Sequence, residues 1–213
     1  WVPEVAFAMF LSGRNMEKPP HCVKGGINGI GAKLVNINSR VFTVETANGG
    51  RVYRQTFRDR MRAREPPQVA DGGGEFTQVT FTPAYEELGY PLGAAGELAP
   101  ADAEDLAAWC RWRMALVAAY VGPRVAVSFN GEPCATTSAL LIARLATAQD
   151  PEAAAVQFSV GAAEPPYRAH PWDVAAVVLP GARSFGHVSV INGVCCAKGA
   201  HLAWLKKEIS AAV

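Results

Sequence analysis

The chain reads as a layered α/β sandwich, and three observations carry that reading. It has an antiparallel hairpin followed by a third strand, a glycine-rich loop running straight into an apolar helix, and a long Ala-rich helix behind the strands. Val41 to Thr46 is a β-branched run closed by Ala47-Asn48-Gly49-Gly50, where Asn-Gly is the strongest short hairpin signal; Arg51 to Phe57 is the return strand. Phe76 to Thr82 alternates apolar and polar residues until Pro83 ends it. The predicted order is helix, glycine loop, helix, antiparallel meander, helix and strand.

Each element has its own local reason. Pro3 suits the first turn of a helix whose apolar positions Val5, Phe7, Met9, Phe10 and Leu11 run to Ser12-Gly13. A polar loop from Arg14 to Pro20 leads to the glycine run, and Ala32 to Asn38 is a short helix. Arg58 to Gly74 reads as a charged, proline-bearing excursion and Glu87 to Pro100 as a loop. Asp102 to Val121 is a long helix carrying Trp109, Trp112 and Arg113, and Arg124 to Phe129 is a strand closed at Asn130-Gly131. Beyond Pro133 the character changes. Thr136 to Thr147 reads as a helix, Ala153 to Ala169 as a loosely structured joint, Trp172 to Leu179 and Gly186 to Val194 as two strands, and Ala200 to Ala212 as a last helix. This tail predicts the start of a second α/β domain, which divides the chain into 1–133 and 134–213.

Composition narrows the function. With 213 residues, 50% of them hydrophobic, and a formal charge of +1, the chain can bury one core or two small ones but offers no basic footprint for nucleic acid. Cys22, Cys110, Cys134, Cys195 and Cys196 form an odd set without a C-x-x-C pair, which suggests neither a disulfide framework nor a zinc site. No run approaches a membrane span or a secretory leader, and the start at Trp1 suggests a fragment of something longer. His21, His170, His187 and His201 share no metal-ligand spacing, so structural roles are expected. Glu86-Glu87 and the Arg51 to Arg64 stretch read as solvated faces, and Trp109 and Trp112, at helical spacing, as core.

The most informative run is Lys24 to Lys33, with four glycines, an Asn and a terminal Lys ahead of an apolar helix. Glycines let backbone N–H groups approach a ligand closely, and a helix start adds aligned donors and positive potential, which is the composition of a phosphate cradle. It is not a Walker A loop, because Gly31 is followed by Ala32, Lys33 and Leu34 with no hydroxyl for magnesium. Nor is it a dinucleotide fingerprint, since Gly26-x-x-Gly29-x-Gly31 reverses that spacing. Taken alone, the loop is equally an exposed turn that uses glycine for its backbone freedom.

The wider sequence resembles the ATPase region of eukaryotic-type DNA topoisomerase II. That family belongs to the GHKL superfamily of gyrases, heat-shock chaperones, histidine kinases and MutL proteins. Trp1-Val2-Pro3-Glu4 and its helix resemble the family's "YVPxLIFGxLLTSSN", with Ser12-Gly13-Arg14-Asn15 on "TSSN". Lys24 to Lys33 resembles "TGGRNGYGAK", and Leu34 to Ala47 resembles "LCNIFSxxFxVETA". Gln55-Thr56-Phe57 resembles "QTW", Val79 to Pro83 "ITFxPD", Trp172-Asp173-Val174 "RWEV", and Val190 to His201 "FVNSIATxKGGxH". These segments fall in order with matching gaps, which is far more specific than the glycine loop.

The resemblance implies a GHKL, or Bergerat-type, two-layer α/β sandwich, incomplete at its N-terminus and followed by the start of a transducer domain. It implies ATP as ligand, with Gly26, Ile27, Asn28, Gly29, Ile30, Gly31, Ala32 and Lys33 as a lid over the triphosphate and Gly13, Arg14 and Asn15 beside the ribose. Three departures stand out. Ile27 replaces an Arg, Gly13-Arg14 replaces two serines, and Cys195-Cys196-Ala197 with Ala200 replaces small hydroxyl residues and a glycine. The family's general-base Glu, Mg2+-binding Asn and adenine-reading Asp would lie before Trp1, and its transducer Lys after Val213. No catalytic or metal residue is therefore assigned, and the isolated chain is expected not to turn over ATP. The resemblance further implies an ATP-closed homodimer gate, DNA handled by other parts of the protein, no membrane, and a nuclear location, or the infected cell and virion for a large DNA virus. A chaperone or mismatch-repair relative with the same lid, or a catalytically dead interaction module, is the alternative; the coding sequence on either side separates them.

Overall fold

In the computed structural model, which describes residues 1–13, 15, 17, 25, 26, 28–135, 138–147, 154–160, 172–178 and 184–212, the first helix is shorter than its apolar run. This helix, α1, covers Val2–Ala8, with a proline in its first two positions, where a missing N–H leaves no bond unmade. Met9 turns extended and Leu11 takes φ 57°, so Met9, Phe10 and Leu11 lie outside the helix that the periodicity predicts. The reason is competition for the terminal carbonyls. The Ser12 hydroxyl sits 3.0 Å from the Val5 carbonyl, which also accepts the Met9 N–H at 3.3 Å, and 2.8 Å from the Met9 carbonyl just past the helix, so a side chain bonds where a further helical turn would otherwise form.

The second helix, α2 (Gly31–Ile37), leads through Asn38 into β1 (Ser39–Asn48), which pairs antiparallel with β2 (Arg51–Arg58). Asn48 faces Arg51, so the turn is Gly49-Gly50, whose φ of 59° and 76° are the signs a type I′ turn requires at both centres. The turn falls one residue later than the Asn-Gly cue.

The charged excursion after β2 is partly sheet. Asp59, Arg60 and Met61 take φ of 47°, 59° and 66° and reverse the chain, after which β3 (Ala63–Arg64) and β4 (Gln68–Asp71) both pair with β2. The third long strand, β5 (Phe76–Pro83), then pairs with β1, giving the order β3-β2-β1-β5. A simple meander would place β5 beside β2. That edge is already taken by β3 and β4, so β5 adds to the other side of β1.

Two-residue alternation builds the core of this unit. Phe42 and Val44 from β1 and Tyr53 and Phe57 from β2 are buried with Ala8 of α1, while Phe7 and Met61 pack against them. Phe42 faces Phe57 across the pair with ring centroids 6.2 Å apart, and Phe7 and Phe81 lie 6.0 and 6.3 Å from the same ring. Buried polar groups are tied: the Tyr53 hydroxyl donates to Gln55 Oε1 at 2.5 Å, and Gln55 Nε2 donates to the Glu65 carbonyl at 3.0 Å. Asn36 of α2, fully buried, donates to the Phe7 carbonyl at 3.1 Å and so fastens α2 to α1, while its Oδ1 has no partner among the described residues.

Burial, with a smaller contribution from the Glu4 charge, pushes the Tyr53 phenol up to about 12 from an ordinary 10.0. Between those values the folded chain holds a proton that the unfolded chain has lost. The stabilisation is complete below the ordinary value and disappears as pH rises through the raised one. Thermal unfolding between pH 10 and about 12 is expected to fall more steeply for the native sequence than for Tyr53→Phe; parallel curves would contradict it.

The arginine-rich stretch is ion-paired. Arg54 meets Glu45, Arg58 meets Glu65, Arg60 meets Glu87, Arg62 meets Asp59 and Arg64 meets Glu4, at 2.6 to 3.7 Å. Glu86 takes Arg40, whose hydrogen bond holds its carboxyl below the usual range, and the pair anchors the 3-10 turn Tyr85–Leu88. Carboxylates thus answer these guanidinium groups, as the solvated reading of the stretch expects.

The chain divides into two compact units, Trp1–Pro19 with Gly26–Asp105 and Pro20–Gly25 with Leu106–Val213. The long helix α3 (Pro100–Val121) begins in the first and continues in the second. The second unit adds the hairpin β6 (Ser128–Phe129) and β7 (Glu132–Pro133) around Asn130-Gly131, then α4 (Ala139–Thr147). Next, β8 (Ala155–Val160) pairs antiparallel with β9 (Trp172–Val177). The expected joint over 153–169 therefore contains a strand, and β9 pairs with it. The predicted strand 186–194 is instead a small hairpin, β10 (Val190–Ile191) and β11 (Val194–Cys195), and α5 spans Ala200–Ala212 as expected. Trp172 packs edge-on to Trp204 at 5.8 Å. Trp109 is not core: it is 59% exposed, with Arg113 over its ring at 5.7 Å. It lines a cavity of about 350 Å3 with Trp112, His187 and Ser189. Among the described residues no helix is long and apolar enough to cross a membrane.

Candidate functional site

Two segments are predicted to meet a ligand, 13–15 and 26–33, and the fold brings them together. Gly26 and Gly29 take φ of 66° and 58°, which glycine adopts without steric cost. At Gly29 backbone lies directly on backbone: a Cβ there would sit 2.4 Å from the Gly13 nitrogen and 2.7 Å from its Cα. At the loop's start Asn15 Nδ2 donates to the Gly26 carbonyl at 3.1 Å, and at its end Lys33 Nζ donates to Ser12 Oγ at 2.9 Å. Beginning, middle and end of the loop are each tied to residues 12–15.

The rest of the loop is open. Asn28, Ile30 and Gly31 are exposed, Ala32 is half-buried, and a Cβ at Gly26 or Gly31 would meet nothing within 4 Å. Gly31, Ala32 and Lys33 form the first turn of α2, where N–H groups lack an intrahelical acceptor, and among the described residues none of the three amides has a backbone partner. Arg14 and Ile27 lie outside the described residues.

Lys33 turns inward. It is 3% exposed, and burial holds its pKa below the ordinary lysine value. Among the described residues Ser12 is its one hydrogen-bond partner and no carboxylate pairs with it. A buried ammonium with a single neutral partner keeps two N–H donors for an anion. Triphosphate oxygens suit this donor set of amides and one ammonium. Among the described residues no group of three or more His, Cys, Asp or Glu is placed to hold a metal ion. Ser12, though it falls on the family's "TSSN", was given no site role by the sequence; its signal was a hydroxyl placed just after an apolar helix run and before Gly13.

An antiparallel sheet with α1 and α2 packed on β1, and a glycine loop between those helices, is an α/β sandwich of the GHKL type. The chain is 40% identical over 211 residues to DNA topoisomerase 2 of African swine fever virus, a match covering 99% of this chain and 17% of that protein. The ATPase region of Saccharomyces cerevisiae topoisomerase II matches with a TM-score of 0.81 and 26% identity, over 99% of this chain and 53% of that one. The ATPase and transducer domains of DNA topoisomerase II from Balamuthia mandrillaris match with a TM-score of 0.77 and 26% identity, over 99% and 50%. No family model matches the sequence. The chain belongs to the ATPase region of the DNA topoisomerase II family, and spans 17% of the length of its viral relative.

Proposed function

We propose that this chain supplies the phosphate-gripping lid of an ATP-driven type II DNA topoisomerase, with Gly26 to Lys33 over the triphosphate and Gly13, Arg14 and Asn15 beside the ribose. The observation that carries it is the closure of Gly29 onto Gly13, which joins the two segments that the family resemblance assigns to one nucleotide. Amides from the first turn of α2 and the Lys33 ammonium offset phosphate charge without side-chain bulk in the way. Mg2+, if bound, would be held by residues in other parts of the protein, and the part of this lid described here would offer the phosphates N–H donors. A lid that grips triphosphate better than diphosphate biases a two-state gate, which is how the segment would couple ATP to the closure of a homodimer and to passage of one DNA duplex through another. DNA contacts belong to other parts of the protein, residues 1–133 to the nucleotide-binding domain and 134–213 to the transducer. The site of action is the nucleus, or the infected cell if the source is a large DNA virus.

A photoreactive ATP analogue tests the reading. The native chain is expected to be labelled, and Lys33→Ala to lose about tenfold or more of that labelling, the loss expected for one charge-assisted contact. Equal labelling of both would overturn it.

A further inference from the structure

We propose that Ser12 is the positioning residue of this lid, holding the Lys33 ammonium between the C-terminal carbonyls of α1 and the nucleotide's phosphates; this rests on the nucleotide reading above. Proton accounting fixes the arrangement. A hydroxyl has one proton and two lone pairs, while an ammonium only donates. Lys33 must therefore be the donor across the 2.9 Å contact, and the Ser12 proton goes to the Val5 or Met9 carbonyl, at 3.0 and 2.8 Å. The Ser12 oxygen is thus held with a lone pair toward Lys33, and the negative end of the α1 dipole lies behind it.

The same residue also borders the lid's midpoint. A Cβ on Gly29 would stand 3.0 Å from the Ser12 carbonyl carbon, so the backbone of residues 12 and 13 supports the loop where the Ser12 side chain holds its terminal lysine. Ser12 occupies one of the ammonium's three donors. The remaining two, without acceptors among the described residues, are those a phosphate would take.

The test is titration of the chain with a non-hydrolysable ATP analogue in Mg2+, together with NMR titration of the Lys33 13Cε signal without ligand. Ser12→Ala is expected to weaken analogue binding about tenfold, and Ser12→Thr, which keeps the hydroxyl, to restore it. In a Lys33→Ala background Ser12→Ala is expected to cost nothing further, because the partner it positions is gone. The ligand-free Lys33 titration should move to lower pH in Ser12→Ala and return in Ser12→Thr. Undiminished binding by Ser12→Ala, or an equal loss in the Lys33→Ala background, overturns the proposal. A native chain that binds no analogue overturns the nucleotide reading instead, and the ligand-free titration then decides whether Ser12 holds the ammonium.

Discussion

Gly29→Ala is expected to remove about a hundredfold or more of the chain's affinity for a triphosphate analogue, the loss that follows from breaking one or two charge-assisted contacts of about 1.5 to 3 kcal/mol each. Two constraints coincide at this residue. Its φ of 58° costs an L side chain on the order of 1 kcal/mol, and its Cβ would come within 2.4 Å of the Gly13 nitrogen. The obstructing atoms are main chain, so no rotamer change relieves the contact. The loop must lift, taking the amides of the α2 first turn and the Lys33 ammonium with it. Gly73→Ala is the matched control, since a Cβ there meets nothing within 4 Å and the backbone is not in the left-handed region. Titration of both variants, with circular dichroism to show the sheet retained, decides the matter. Native affinity in Gly29→Ala would mean that the loop does not need its contact with Gly13.

Local pattern revealed the elements that carry a strong local signal. The β1–β2 hairpin was legible because the β-branched run Val41 to Thr46 is closed by an Asn-Gly turn cue, and α3 because a long Ala-rich stretch favours helix. β3 and β4 were not legible because two and four residues are too few to show a period, and Gln68-Val69-Ala70-Asp71 sets its apolar residues side by side rather than in alternation. β8 lay hidden in an Ala-rich stretch, and the pairing of β5 with β1 depends on which strand edge is already filled, a property of the assembled sheet. Trp109 misled for a related reason: helical spacing to Trp112 is the same whether the face is buried or, as here, carries a cation–π contact with Arg113. At the site, composition marked the glycine loop but not its chemistry. The resemblance in order along the chain supplied the nucleotide. The tie from Lys33 to Ser12 joins residues 21 apart, and no spacing rule links them.

The second large effect lies in the core beneath the lid. Phe42→Ala is expected to destabilise the first unit by about 3 to 5 kcal/mol, the range for deleting a fully buried phenyl ring. Phe42 is 1% exposed and packs on Phe57, Phe7 and Phe81, so the space left is bounded by rings and strand backbone that close poorly around it. Leu88→Ala, at a residue 50% exposed, should cost under about 1 kcal/mol in the same denaturant titration. The loss should reach the site as well. Phe7 rests on Phe42, its carbonyl accepts from Asn36, and the helix it belongs to ends at the carbonyls that hold Ser12. Loosening α1 therefore slackens the Lys33 anchor before the sheet itself unfolds, and analogue affinity in Phe42→Ala should fall at denaturant concentrations below the unfolding midpoint. If affinity and sheet structure are instead lost together, α1 and the sheet form one cooperative unit and the lid has no separate dependence on the Phe7–Phe42 contact.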